Sequence, residues 1–407
     1  MNKKLINNIG ELITCSKKID NNDLGIIKNA ALIIENDKIK DFGKEKDIIK
    51  KIDKKNYEII DAKAKPVLPG FIDPHTHFVF GGYRDDEFNQ RLRGKSYEEI
   101  MESGGGIVNT VEATRNASFS ELKKLGKKRL DDMLKNGVTT IEGKSGYGLN
   151  LKTEIKQLKV MKKLNEEHPL DIISTFMGAH STPKEFDSTQ DYTNYLIEEM
   201  LPEIANENLA EFNDVFCDKG AFSIEQSKNI MKKAKDLGFE LKIHADEIAA
   251  VGAAELAAEM EAVSAEHLLK ISDKGIKDLH KKNVKPVLLP ITAFSLKADY
   301  APAQKMIENG LNPALATDFN PGSCYSESIP LLLSLSTLYM NMTPEEAIRG
   351  ITINAAKALN KEKEIGSIEK DKKADLVILS TPSYTHLTYH IAYNCVQNVI
   401  KNGKVVL

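Results

Sequence analysis

Val67-Leu68-Pro69-Gly70-Phe71-Ile72-Asp73-Pro74-His75-Thr76-His77 opens as an apolar run and closes on two imidazoles separated by one residue. Side chains of an extended chain alternate with a period of two, so His75 and His77 lie on one side and can reach one metal ion. The pair alone carries little. Its weight comes from residues 67–72, which read as a buried parallel strand and place the pair just past that strand's C-terminal end.

Working outward, seven more short apolar runs follow at 139–142, 172–177, 214–217, 240–243, 262–265, 284–289 and 313–316, separated by amphipathic stretches of helical period. Eight such units predict an α/β fold, a closed (β/α)8 TIM barrel spanning 67–360. Helix starts support the count. Ser118 with Glu121, Ser223 with Gln226, and Thr343 with Glu346 each have the spacing of a capping box, and Pro344 suits a first helical position. The helix opened by Ser118 carries Leu122, Leu125, Leu130, Met133 and Leu134 mostly on one face and stops at Asn136-Gly137.

The chain ends read differently. Residues 1–66 and 361–407 hold short alternating strands at 31–34, 38–42, 375–379 and 396–401, with turns at Glu35-Asn36-Asp37 and Lys401-Asn402-Gly403. They predict one small β-sandwich domain composed of both ends, with the barrel inserted between them.

Composition narrows the function classes. With 407 residues, 41% hydrophobic and 28% charged, the chain is an ordinary globular one, and a net charge of −3 provides no basic field for nucleic acid or an anionic membrane. The lysines at 50, 51, 54 and 55 read as solvated surface. Four widely spaced cysteines, Cys15, Cys217, Cys324 and Cys395, form neither a disulfide ladder nor a Cys-x-x-Cys pair. No targeting segment and no apolar run of about 18 residues is found, so the expected location is the cytoplasm.

In a (β/α)8 barrel the active site is built where the strands end. Of nine histidines, His75, His77, His180, His244 and His267 fall at or just past four predicted strand ends, whereas His168, His280, His386 and His390 do not. His244 ends one strand and Asp318 follows another, adding a nitrogen and a carboxylate oxygen to the His75 and His77 pair. Three imidazoles and a carboxylate suit one Zn²⁺ or iron ion (Fe³⁺ being the iron form expected) per chain and disfavour Mg²⁺ and Ca²⁺. Such an ion activates water at neutral pH.

Taken in order, eight segments resemble the amidohydrolase superfamily and, within it, the imidazolonepropionase family. They are residues 68–80, Tyr83-Arg84-Asp85-Asp86-Glu87-Phe88, Ser103-Gly104-Gly105-Gly106-Ile107, Lys144-Ser145-Gly146-Tyr147-Gly148-Leu149, Met177-Gly178-Ala179-His180-Ser181-Thr182-Pro183, His244-Ala245-Asp246-Glu247, Ala265-Glu266-His267-Leu268 and Ala316-Thr317-Asp318-Phe319-Asn320-Pro321-Gly322-Ser323.

This resemblance implies a homodimer that hydrolyses the cyclic amide of 4-imidazolone-5-propanoate to N-formimidoyl-L-glutamate, a step of histidine degradation. It implies that Asp318 relays a proton from water to the departing nitrogen and that His267 polarises the carbonyl. Glu247 would hold a ring N–H, or merely sit at a helix N-terminus. His180 would hold the ring or the oxyanion, or be an ordinary rim histidine. Arg84 would grip the propanoate tail, with Tyr97 and Tyr147 adding hydroxyls. Asn320, Gly322 and Ser323 would receive the carboxylate released on ring opening, although turn chemistry explains Asn-Pro-Gly-Ser as well.

Two departures matter. Two-metal relatives place a carboxylated lysine at the end of the fourth strand, but here that strand ends Phe216-Cys217-Asp218, which favours one metal. Gly104-Gly105-Gly106 lacks the strand and lysine of a phosphate loop and is expected as a mobile loop over the site. The competing functional readings are a nucleobase deaminase with the same ligands and a non-catalytic barrel used as a scaffold.

Overall fold

The computed structural model describes residues 3–16, 23–95, 99 and 105–407. Eight strands occupy the two ends of the chain. They are β1 (Lys3–Ile13), β2 (Ile26–Glu35), β3 (Lys38–Lys44), β4 (Glu58–Asp61), β5 (Val67–Pro69), β14 (Leu376–Leu379), β15 (Val396–Lys401) and β16 (Lys404–Val405). They join in one mixed sheet in the order β16-β15-β14-β5-β1-β2-β3, with β4 also paired to β1. Its core contains Ile6, Leu12, Leu32 and Ile34 from the N-terminal part and Leu376, Ile378 and Ile400 from the C-terminal part, so neither end buries its apolar face alone. Asn402 and Gly403 form the two-residue β15–β16 turn with φ of 49° and 72°, the left-handed pair such a hairpin requires.

The other eight strands run parallel in chain order: β6 (Phe71–Thr76), β7 (Val138–Lys144), β8 (Asp171–Ala179), β9 (Phe212–Cys217), β10 (Glu240–Ala245), β11 (Ser264–His267), β12 (Lys285–Leu288) and β13 (Ala314–Leu315). All eight predicted runs contribute to them. One requires correction, because 67–72 is not a single strand: Val67–Pro69 pairs antiparallel with β14 in the small sheet, and the barrel begins at Phe71. Gly70 is the joint. A Cβ there would fall 2.4 Å from the Thr139 side chain, so only glycine lets the chain pass from one sheet to the other. Continuous hydrophobicity carries no mark of that change of sheet.

The barrel seam closes between β6 and the segment after β13. Asp318 N–H donates to His75 O at 3.1 Å and His77 N–H to Phe319 O at 2.8 Å. Asp73 reinforces the seam by accepting from Thr317 N at 3.1 Å and Thr317 Oγ1 at 2.6 Å. The interior is layered along the strands. Near their starts Ile72, Ile173, Phe212, Val263 and Val287 pack with Ala355 and Leu359, and polar residues take over toward the C-terminal ends.

All three predicted capping boxes form, at Ser118, Ser223 and Thr343. On helix Phe119–Lys135 the buried face includes Leu122, Leu130, Met133 and Leu134 as expected, with Leu125 half-buried and Arg129 buried instead. The four cysteines are buried free thiols. Among the described residues no helix is long and apolar enough to cross a membrane.

Candidate metal centre and active site

At the end of β6 the alternation predicted from sequence is seen: Thr76 turns away and donates to Glu142 O at 2.6 Å, while His75 and His77 face the barrel axis. One nitrogen from each of His75, His77 and His244 lies within 4.8 Å of the others. Asp318 Oδ1 stands 3.3 Å from His75 Nε2 and 3.8 Å from His77 Nε2. A tetrahedral ion with bonds near 2.1 Å holds its donors about 3.4 Å apart, so this spacing fits a shared metal. His75 Nε2 is buried without a hydrogen-bond partner, as a ligand nitrogen would be. His267 comes closer than its expected role required, forming a second donor group with His75 and Asp318.

The imidazoles are oriented from behind. His75 Nδ1 contacts Glu266 Oε2, and His244 Nδ1 lies 3.1 Å from Asp214 Oδ1. Both rings therefore turn Nε2 toward the centre, the arrangement that metal-binding histidines take when a carboxylate fixes their other nitrogen. On the carboxylate side, Thr292 Oγ1 donates to Asp318 Oδ2 at 2.7 Å and leaves Oδ1 facing the histidines.

Beneath this layer lies a fully buried ionic cluster that sequence reasoning missed. Lys144 Nζ reaches Asp214 at 2.7 Å, Glu142 at 2.8 Å and Glu266 at 2.9 Å; Lys242 Nζ reaches Glu142 and Glu266, each at 3.0 Å. Three carboxylates face two ammonium groups, which leaves negative charge for the histidines and whatever cation they hold. Burial opposes ionisation of Glu266, yet Lys144 and Lys242 outweigh it and keep that carboxyl well below the ordinary range. Burial likewise opposes a charged His75, but Glu266 and Asp318 raise it to about 9, a sign that positive charge is favoured there. The signal was present: Glu142 with Lys144, and Lys242 with His244, are two residues apart on barrel strands and so share the interior face.

Around the centre, His180 stacks on His77 at 5.1 Å between centroids, and Tyr147 packs against both rings. His180 Nδ1 is 3.1 Å from Gly146 O, and only a protonated nitrogen can serve a carbonyl. Burial and His244 lower its pKa to about 4, so the ring is neutral near pH 7 with Nε2 as acceptor. Glu247 Oε1 lies 3.5 Å from His267 Nδ1. Burial, then Asp318 and Asp218, push the Glu247 carboxyl up to about 8. His267, Asp318 and Asp246 all hold left-handed backbone, with φ of 70°, 53° and 50°, and such strain concentrates where a site over-determines the chain.

Arg84 lies against the loop after Asp318, since a Cβ on Gly322 would meet its Nη1 at 2.2 Å. Its guanidinium is already paired, through Nε and Nη2, with Glu87 at 2.8 Å, a partner the sequence reading did not foresee. Asn320 is committed to its own turn: Oδ1 accepts from Gly322 N and Ser323 N at 2.8 Å, and Nδ2 donates to Asp318 O at 2.7 Å and Ser323 Oγ at 2.8 Å. Arg129 ties down the segment after His77, its Nη1 donating to Phe78 O and Phe80 O at 2.8 and 2.9 Å. Tyr97 and Gly104 lie outside the described residues.

A parallel (β/α)8 barrel with imidazoles and a carboxylate converging at its C-terminal rim defines a metal-dependent hydrolase. The chain belongs to the amidohydrolase family, whose model matches residues 67–406. Over its whole length it is similar to imidazolonepropionases: 53% identical to that of Clostridium tetani, covering 99% of this chain and 97% of the relative, and 51% identical to that of Parabacteroides distasonis, covering 100% and 99%. Among solved structures, an adenosine deaminase from Xanthomonas campestris with bound Zn superposes with a TM-score of 0.76 at 16% identity, over 100% of this chain and 93% of that one. Guanine deaminase of E. coli gives 0.72 at 17%, over 100% and 99%. At such identities these two establish the fold alone.

Proposed function

We infer that this chain hydrolyses 4-imidazolone-5-propanoate to N-formimidoyl-L-glutamate. The observation that carries the substrate is its full-length identity of 53% to an imidazolonepropionase. In this reading His75, His77, His244 and Asp318 hold one Zn²⁺ or iron ion, which supplies Lewis acidity and activates water when bound. The oxygen of water joins the ring carbonyl carbon, the bond from that carbon to nitrogen breaks, and the nitrogen gains a proton. Asp318, held ionised at a pKa of about 2 because His75 outweighs its burial, takes the proton from water and passes it to the nitrogen.

His267 polarises the carbonyl. His180, whose free nitrogen is an acceptor, holds a ring N–H rather than the oxyanion, and Glu247 holds the other side of the ring. Tyr147 closes the pocket beside His77. Arg84 retains donors beyond those given to Glu87 and takes the propanoate, next to Gly322 and Ser323. The family resemblance further implies a cytoplasmic homodimer, which sedimentation and cell fractionation check.

Steady-state kinetics on 4-imidazolone-5-propanoate, adenosine, guanine and cytosine test the substrate. Turnover should be confined to the first, and Arg84→Ala should raise its KM roughly 10- to 100-fold, the loss of a charge-assisted pair. A deaminase reading would gain if a nucleobase were the better substrate or if Arg84→Ala left KM unchanged.

A further inference from the structure

Glu247 leaves the barrel beside a carboxylate from the neighbouring strand. β9 and β10 stay in register to their last residues, Cys217 opposite Ala245, so Asp218 and Asp246 emerge side by side. The left-handed turn at Asp246 is followed by three amides that all point at Asp218. Its Oδ2 accepts from Glu247 N at 2.7 Å and Ile248 N at 2.8 Å, and its Oδ1 from Ala249 N at 3.0 Å. Asp218 is only 4% exposed. The far end of the loop is held separately, by the Asp246 carboxylate accepting from the amides of Val251, Gly252, Ala253 and Ala254 at the start of helix Ala253–Met260.

Amides of an irregular segment have no ladder partner and must be bonded or solvated. Three of them sharing the two oxygens of one carboxyl side chain form a clamp. We propose that Asp218 is a positioning residue for ring hydrolysis, setting through these three amides where Glu247 meets the substrate. The inference rests on the role given above to Glu247. Asp218 is a step removed from the ring; the Glu247 carboxyl that it places lies 3.5 Å from His267 Nδ1.

The test is a double-mutant cycle on the metal-loaded enzyme with Asp218→Asn, Glu247→Gln and both together. Asparagine keeps the size but turns an NH2 group toward amides that need an acceptor. A misplacement of about 1 Å costs on the order of 100-fold, so Asp218→Asn should lower kcat roughly 10- to 100-fold while metal content stays at the wild-type level. Hydrogen exchange at Glu247, Ile248 and Ala249 should quicken. In the Glu247→Gln background, Asp218→Asn should add less than about threefold, because both changes act through one group.

Wild-type kcat in Asp218→Asn alongside an impaired Glu247→Gln overturns this inference alone. So does a loss of equal size in both backgrounds, which marks Asp218 as merely structural. Wild-type kcat in Glu247→Gln overturns the role of Glu247 and this inference with it. If Asp218→Asn does not fold, Asp218→Glu, with its charge displaced by one methylene, goes through the same cycle with the same outcomes.

Discussion

At the scale of single residues the site is governed by what stands behind the candidate metal ligands. Lys144 touches both carboxylates that orient His75 and His244, whereas Lys242 touches only the Glu266 member of that pair. Lys144→Met should therefore weaken metal binding roughly 10- to 100-fold in a chelator competition, and Lys242→Met less, because groups that orient ligands contribute on that scale. Equal effects of the two changes would count against the orienting role. The five rim histidines were legible because each follows an apolar strand. The pairing of Lys144 with Glu266 was not: strand spacing places Lys144 on the interior face, but only barrel closure brings the two within 3 Å of one another.

Elements report on local physics, and here sequence and structure agree well. At Ser118, Ser223 and Thr343 each box satisfies the first-turn amide and the cap's own amide through residues three apart, so no tertiary information is needed. Ser118→Ala, at an exposed cap, should lower unfolding free energy by about 1 kcal/mol in urea titrations and leave kcat unchanged. A loss of activity at unchanged stability would contradict a purely local role. The split of 67–72 at Gly70 was hidden for the opposite reason. Both halves are equally apolar, and the strands they pair with, β14 and β7, are remote in sequence.

Across the whole molecule, the barrel and the small sheet are joined by charge. Asp171, at the start of β8, accepts from Lys401 Nζ at 2.8 Å and Lys373 Nζ at 3.0 Å. Burial would raise its pKa, but the two lysines prevail and hold it below the ordinary carboxylate value. A depressed carboxyl stabilises the fold fully above the unfolded pKa of about 3.9 and loses that contribution as pH falls through the lower folded value. Asp171→Asn should thus cost about 1 kcal/mol at pH 7, with the gap from wild type closing below about pH 4. Denaturant midpoints across that range decide it; a gap independent of pH would assign the effect to packing. Metal removal is the second global test. Chelation should abolish activity and lower Tm, and Zn²⁺ or iron should restore both, since a ligand that binds only the folded chain stabilises it by mass action.

The sequence by itself determined the eight barrel strands, the composite nature of the small domain, the helix starts and the rim histidines. Periodicity, capping and strand-end position are all written within a few residues of each other. Tertiary structure alone decided how His75-Thr76-His77 becomes part of a candidate metal centre. Closure of the seam brings Asp318 to 3.3 Å from His75, and Glu266 then fixes the ring from behind. It likewise decided that Arg84 shares its charge with Glu87 and that Asp218 holds the amide of Glu247. The physical reason is the same in each case. Electrostatic and hydrogen-bonded partners act over about 3 Å of space regardless of how many residues lie between them.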